Sequence, residues 1–479
     1  MAARNTLNLS PGALLRASKR ELKSALAPLV RNALRPPAPP LPPSRWGLEV
    51  DPARGLCLEG VALHGLLERW GSPLHVVHGA ALDRNVGDFL HVPAGLPRGA
   101  EVYYSYKTNP IPGVLRRMHA AGVGAEVISE HELWMALELG VPPERIVYNG
   151  PGKSDASLRE AIARDILLLN VNHREELARV AHHARALGKR PRVGVRITVP
   201  GGWSGQFGVP VEGGEALEAY REALAEPSLD VVGVHAHYGM RLRTAGQLSQ
   251  FVGQVLAFCD ALEAATGWRP GMLDLGGSLA VPTAADIDPR EQRMNQLFQR
   301  PVSAPDPAAT LPIRAYVDAV LRQVEAHAQA RGRPAPRVLL EPGRAMTGNT
   351  QLLLSRVMTV KATRGATAFA VMDAGQNLAE IVRNEYHQVF AVNRAGAPAT
   401  RDYTWAGPIC SPGDVLFPAV RLPELSAGDS VAVMDAGAYF VPFSTSFSFP
   451  QPAIVLVDGG EVSLLRRAET SRDLLSLDR

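Results

Sequence analysis

From residue 74 to about residue 345 the chain alternates short apolar runs with helix-like stretches, and no other feature restricts its fold as strongly. "LHVVHG", "EVYYSYK", "GAEVISE", "RIVYNGP", "DILLLNV", "RVGVRITV", "DVVGVHAHYG", "MLDLGG" and "RVLLEPGR" read as strands. Between them, "EHELWMALELG", "HREELARVAHHARALG" and "GQLSQFVGQVLAFCDALEAATG" carry the apolar spacing of amphipathic helices. Strand-helix alternation over about 270 residues predicts an α/β fold, a (β/α)8 TIM-type barrel. Such a barrel gathers its chemistry at the C-terminal ends of its strands. Lys107, Glu126, His237, Gly276 and Glu341 fall there.

After residue 350 the text changes to strands separated by Gly, Pro and Asp turns, which predicts a C-terminal β domain, a barrel or a sandwich. The predicted organisation is a basic extension and Pro-rich linker over 1–44, N-terminal strands joining the β domain over 45–75, the barrel over 76–345, and the β domain over 346–479. Residues 281–311 are polar and Pro-rich, and predict a long barrel loop suited to a lid.

With 479 residues, 46% of them hydrophobic, the chain can bury a core in each unit. No apolar run reaches membrane-spanning length, so neither a transmembrane helix nor a membrane partner is predicted. Cys57, Cys259 and Cys410 lie far apart, without disulfide or zinc spacing, as suits a reducing compartment; the expectation is cytoplasmic. Residues 1–35 carry seven basic side chains against Glu21 alone, a net +6 in a chain of net +3, so the remainder is −3. That balance excludes a basic body for nucleic acid. Leu15, Leu22, Leu26, Leu29 and Val30 fall near one helical face ahead of the stiff "RPPAPPLPP". The tail reads as an accessory helix docking on the body, and an Arg-rich, acid-poor leader also fits an organelle transit segment.

Several groups could do chemistry. In "EVYYSYKTNP", strand alternation puts Val102, Tyr104 and Tyr106 on one face and Tyr103, Ser105 and Lys107 on the other. Lys107 is then either a solvated strand end or a lysine at the mouth of a site, where a partly apolar pocket lets it shed its proton and bond to an aldehyde such as pyridoxal phosphate. "LDLGGSLAVP" offers a phosphate cradle, with Gly276 and Gly277 exposing backbone N–H groups and Ser278 adding a hydroxyl, although most such pairs are tight turns. In "LLEPGRAMTG", Glu341 could keep a pyridine nitrogen protonated, and Arg344 could serve a phosphate or a carboxylate; a surface ion pair is the plain alternative. His235 and His237 share a strand face, and one could stack on a planar cofactor. No further ligand cluster is near them in sequence, so no metal is predicted. Cys410 in "GPICSPGDVL" sits on a turn with Asp414 four residues on, where a thiol can donate a proton; a small buried apolar residue is the commoner use of cysteine.

The order of these motifs resembles the fold-type III pyridoxal-phosphate decarboxylases, the diaminopimelate and ornithine decarboxylase family, over about residues 45–479. "YYSYKTNP", "GAEVISEHELWMALELG", "ERIVYNGPGKSDASLREAI", "HAHYG", "LDLGG", "EPGR", "GPICSPGD" and "DAGAY" follow one another as they do there. The resemblance implies an alanine-racemase-like barrel and pyridoxal 5'-phosphate bound through Lys107. It implies that His237 stacks on the ring and Glu341 faces its nitrogen. Gly276, Gly277, Arg344 and Tyr439 would surround phosphate or substrate carboxylate. It implies a homodimer with shared sites, in which Cys410 and Asp414 reach the partner's cavity and Cys410 protonates the product.

Departures from the family pattern concern the substrate. Cys410-Ser411-Pro412-Gly413-Asp414 replaces C-E-S-G-D, so Ser411 stands where a glutamate would hold a distal amino group. The R-P-x-L-Y run is missing, although Arg383 remains nearby. Met240 removes a hydroxyl from H-x-G-S, and Ser278 replaces a third glycine. The implied activity is decarboxylation of a diaminopimelate-like or modified basic or acidic amino acid. The alternatives are a racemase or epimerase on the same scaffold, or a non-catalytic cofactor-binding or regulatory protein.

Overall fold

The computed structural model describes residues 37–476, apart from 240 and 363–366. The basic tail discussed above therefore lies outside the described residues. A first strand, β1 (Leu74–His78), precedes eight parallel strands: β2 (Glu101–Ser105), β3 (Gly124–Val127), β4 (Ile146–Tyr148), β5 (Leu168–Val171), β6 (Arg192–Thr198), β7 (Asp230–Ala236), β8 (Met272–Asp274) and β9 (Arg337–Leu340). Each pairs with its sequence neighbour, and β9 returns to β2 with Leu339 opposite Glu101, closing the ring. The predicted TIM-type barrel is therefore present. Helices run between the strands, with their starts fixed locally. Ser129 and Ser154 each accept an N–H from the third residue of the helix that follows. Thr244 and Gln247 form a reciprocal capping box at the head of Ala245–Thr266. Each such cap is worth about 1 kcal/mol.

The strands read apolar on both faces because the helices cover the outside. Inside, the two-residue period of a strand decides where the site can be. Tyr103, Val147, Leu168, Met272 and Leu339, from five of the eight strands, meet in one buried cluster across the barrel floor. Two residues further along the same strands come Ser105, Asn149, Asn170, Asp274 and Glu341, all buried. A dry floor thus carries a polar layer directly above it.

The C-terminal domain is built on β10 (Gln351–Lys361), which is long enough to serve two sheets. Its first half pairs with β1 and with Ser430–Val433, and its second half, past a bulge at Val357/Thr359, pairs with Ala368–Met372. On its other edge β1 runs parallel to Ala453–Asp458. Residues 48–62 form a separate three-stranded sheet whose Leu56 and Leu58 pack with Leu352, Leu354 and Val455 of this domain. Residues 281–311 are not a structureless loop. Ala285–Asp286 pairs antiparallel with Glu385–Tyr386, and Asp288 caps a helix over Pro289–Phe298, so the insertion is clasped to the C-terminal domain. Among the described residues no helix is long and apolar enough to cross a membrane.

Candidate active site

Strand β2 stops at Ser105, earlier than its alternation suggests, and Tyr106–Thr108 make a single 3-10 turn before Asn109-Pro110. The turn projects Lys107 into a cavity of about 840 Å3 at the barrel mouth. Its Nζ lies 3.3 Å from Glu126 Oε2, with 37% of the side chain exposed to the cavity. Burial works to lower its pKa, but the negative charge of Glu126 outweighs it and raises the value. The expected discharge of this lysine by an apolar pocket is therefore corrected: carboxylates hold its proton. The Thr108 hydroxyl is buried without a partner, tight against Gly343, where a Cβ would come within 2.2 Å of it.

Below the lysine the polar layer is one network. Asn149 Nδ2 donates to Glu126 Oε1 at 2.9 Å and to Glu341 Oε1 at 2.6 Å. Asn170 Nδ2 donates to Asp274 Oδ2 at 2.8 Å, and the Gly276 amide donates to Asp274 Oδ1 at 3.1 Å. Burial, then the charge of Asp274, pushes the Glu341 carboxyl well above its usual range. Asp274 has two N–H donors and Glu341 one, so the proton resides on Glu341. His235 lies 3.8 Å from Glu341, and burial keeps it neutral. One expectation fails here: His235 does have ligand-type neighbours, because strand ends β7 and β8 and the residue following β9 bring it within 4.8 Å of Asp274 and Glu341. The asparagine and amide N–H groups already donate into these carboxylates, which solvates them without an ion.

Gly276 (φ 61°) and Gly277 form the side of the cavity. A Cβ on Gly276 would stand 2.3 Å from His237 Nδ1, and one on Gly277 would stand 2.4 Å from the Glu341 carbonyl. Only glycine permits both approaches. The Gly277 amide donates to His237 Nδ1 at 3.2 Å, and Ser278 Oγ lies 3.3 Å from Nε2. Burial, then the charges of Arg196 and Lys107, hold the imidazole far below its usual pKa, so its proton sits on Nε2. Ser278 (φ 77°) and Tyr439 (φ 67°) occupy left-handed conformations that non-glycine residues seldom adopt, and both border this cavity.

At the rim, Arg344 lies over the Tyr439 ring at 4.9 Å and donates through both terminal nitrogens to Glu385, at 2.8 and 2.9 Å. Arg241 donates to the same carboxylate and reaches Asp286 at 3.1 Å. Glu385, Arg241, Arg196, Trp203 and Phe207 line the cavity and were not singled out in the sequence. Arg196 was legible as an inward residue near a strand end. Trp203 and Phe207, ring-stacked at 5.6 Å, belong to a glycine-rich loop with no strand or helix signature.

Four predicted residues lie elsewhere. Cys410 is exposed on its turn, and neither it nor Ser411 borders this cavity. Asp414 is only 2% exposed, and its oxygens accept the Gln376 and Ile409 amides at 2.7 and 2.8 Å. It shapes the Cys410 turn from within its own chain. Arg383 pairs with Glu380 and lines a second cavity, of about 1010 Å3, with Pro412 and Gly413.

Residues 89–348 match the family described as "Pyridoxal-dependent decarboxylase, pyridoxal binding domain". The chain belongs to the pyridoxal-dependent decarboxylases. It is 30% identical to a diaminopimelate decarboxylase of Aquifex aeolicus, over 86% of this chain and 93% of that one. It is 31% identical to that of Pseudomonas aeruginosa, over 88% and 95%. A solved diaminopimelate decarboxylase of M. jannaschii, in complex with L-lysine, superposes with a TM-score of 0.79 at 26% identity, over 90% and 97% of the chains. The decarboxylase reading therefore stands above the racemase and non-catalytic alternatives, and the cofactor is pyridoxal phosphate. The residues present fit it. The Gly276–Gly277 cradle is one that a Cβ would fill, and Thr108 Oγ1 and Arg196 Nε are buried donors left without partners.

Proposed function

We propose that the barrel-mouth cavity removes the α-carboxylate of an amino acid, with Lys107 as the residue that bonds to the cofactor. The observation that carries this reading is the meeting of Lys107, Glu341 and the glycine cradle in one cavity of about 840 Å3, a volume that suits a cofactor with a small substrate. Pyridoxal phosphate supplies a conjugated ring that takes up the electron pair left when carbon dioxide departs. Lys107 must first lose its proton, and Glu126 Oε2 at 3.3 Å is the acceptor in reach. Glu341, oriented by Asn149, would hold a proton at the ring nitrogen. Gly276 and Gly277, whose amides already serve Asp274 and His237, would give the phosphate room, and the Ser278 hydroxyl would donate to it. Neutral His237 packs on the ring without adding charge.

Proton return falls to Cys410 of a second copy, which makes the working unit a homodimer. Two features support this: Cys410 is exposed yet outside its own chain's cavity, and aromatic side chains at the cavity edge, Trp203 and Phe443, are about half exposed. The substrate is an amino acid of the size of diaminopimelate or lysine, and the reaction is placed in the cytoplasm.

Carbon dioxide release across a panel of such amino acids tests the activity. It should need Lys107 and should accompany an absorbance band that borohydride removes; full activity in Lys107→Ala refutes the reading. Mixing Lys107→Ala with Cys410→Ala chains should restore about a quarter of wild-type activity if sites are shared across a two-fold interface. Full activity of Cys410→Ala alone would remove the thiol from the mechanism.

A further inference from the structure

Glu385 is placed where an anionic ligand of the rim arginines would be. Its carboxylate takes both terminal nitrogens of Arg344 in a planar fork and a third bond from Arg241, with His387 Nε2 3.5 Å away. Planar, two-point pairing of this kind is how guanidinium groups recognise carboxylates in ligands. The side chain is only 7% exposed, and its backbone is paired with Ala285–Asp286, so the carboxylate is held in place by the fold. Asp286 adds a second negative charge on Arg241. Two guanidiniums and two carboxylates leave the rim neutral. Of the other cations lining the cavity, Lys107 is held by Glu126. Arg196 is buried over the Phe207 ring, within the field of Glu341, Glu126 and Asp274 on the barrel floor.

We infer that Glu385 determines specificity: it occupies the rim's carboxylate site from within, so the substrate is an amino acid whose side chain carries no second carboxylate at its far end. A distal carboxylate arriving there meets Glu385 and Asp286 and finds both forks of Arg344 engaged. On the rim, Arg241 Nη1 is buried without a partner, and it suits an uncharged acceptor such as an amide or hydroxyl oxygen.

This inference rests on the decarboxylase reading, and lysine and diaminopimelate test it as a pair because they differ only by the distal carboxylate. With the cofactor-loaded wild type, kcat/KM for lysine should exceed that for diaminopimelate by tenfold or more. Glu385→Gln and Glu385→Ala should shift the ratio toward diaminopimelate by tenfold or more, while Glu385→Asp, which keeps the charge, should retain the preference. Calorimetry with pimelate reads the same site without turnover: the wild type should show no binding, and Glu385→Gln should bind. Equal turnover of both substrates by the wild type, or pimelate binding unchanged between wild type and Glu385→Gln, overturns the inference. If no amino acid releases carbon dioxide, the decarboxylase reading fails, and the pimelate result still decides the role of Glu385.

Discussion

Replacing Glu126 with glutamine should make Lys107 a more available nucleophile in the cofactor-free protein. The two charges lie 3.3 Å apart. Near a protein surface, a pair at about 4 Å is worth about 4 kcal/mol, and about 1.4 kcal/mol corresponds to one pKa unit. Loss of Glu126 removes that attraction and lowers the Lys107 pKa. The side chain is 37% exposed, so solvent screening leaves only part of that figure. The sign follows from charge: without the neighbouring anion, the cation is less favoured and the proton leaves at lower pH. Glutamine keeps an oxygen for Asn149 Nδ2, so the layer beneath stays in place. The chain has so few lysines (Lys19, Lys23, Lys153, Lys189 and Lys361 besides Lys107) that 13C-methylated side chains can be titrated individually by NMR. The Lys107 midpoint should fall in Glu126→Gln, and the pH of half-maximal pyridoxal phosphate capture should fall with it. Glu132→Gln should shift the midpoint less, because the Glu132 carboxylate acts on Lys107 more weakly than Glu126 does. An unchanged or raised midpoint in Glu126→Gln would refute the claim that this carboxylate holds the lysine's proton.

Gly277→Ala places a methyl 2.4 Å from the Glu341 carbonyl; it should cost about 1–3 kcal/mol in denaturant unfolding and weaken pyridoxal phosphate binding at least tenfold in a fluorescence titration. Asp414→Ala strands two buried backbone donors and should lower stability by about 2–4 kcal/mol, read as a drop in Tm, with activity falling as the Cys410 turn loosens. For Glu385, burial would raise the pKa, but the nearby His387 imidazole and the charges of Arg344 and Arg241 lower it from 4.5 to about 2. A depressed folded value gives stability that is complete above pH 4.5 and lost as pH falls toward 2, on the order of 3 kcal/mol. Acid unfolding should therefore steepen in that window, and Glu385→Gln should remove that part of the pH dependence.

The barrel was legible because its strands are sequence neighbours, and each apolar run announces itself before a helical one. The floor and polar layer could also be read, since Leu168 then Asn170, Met272 then Asp274, and Leu339 then Glu341 repeat one inward step. Lys107, His237 and Glu341 stood out as strand-end chemistry. The rim did not, because Glu385 meets Arg344 and Arg241 only through folding of the C-terminal domain and the insertion, and no local pattern signals a contact between separate domains. The burial of Asp414 was not legible for the same reason: an acidic residue on a turn looks exposed until its two amide partners are known. The charged state of Lys107 was also missed, since Glu126 follows it by a whole helix and strand.

The placement of β1 also bears on how the chain is made. This strand leaves the ribosome early, yet both of its ladder partners, β10 and Ala453–Asp458, come after the entire barrel. At translation rates of about 5–20 residues per second, β1 waits tens of seconds with both edges unpaired. The barrel has mostly short-range pairings and can close during that interval. Its closure carries β1 and the start of β10 to the same side, so the enzyme's catalytic half acts as the jig on which its other half is assembled. A nascent chain halted before Ala453 would then hold a finished barrel beside an open apolar strand, the form of this protein most exposed to aggregation and to chaperones.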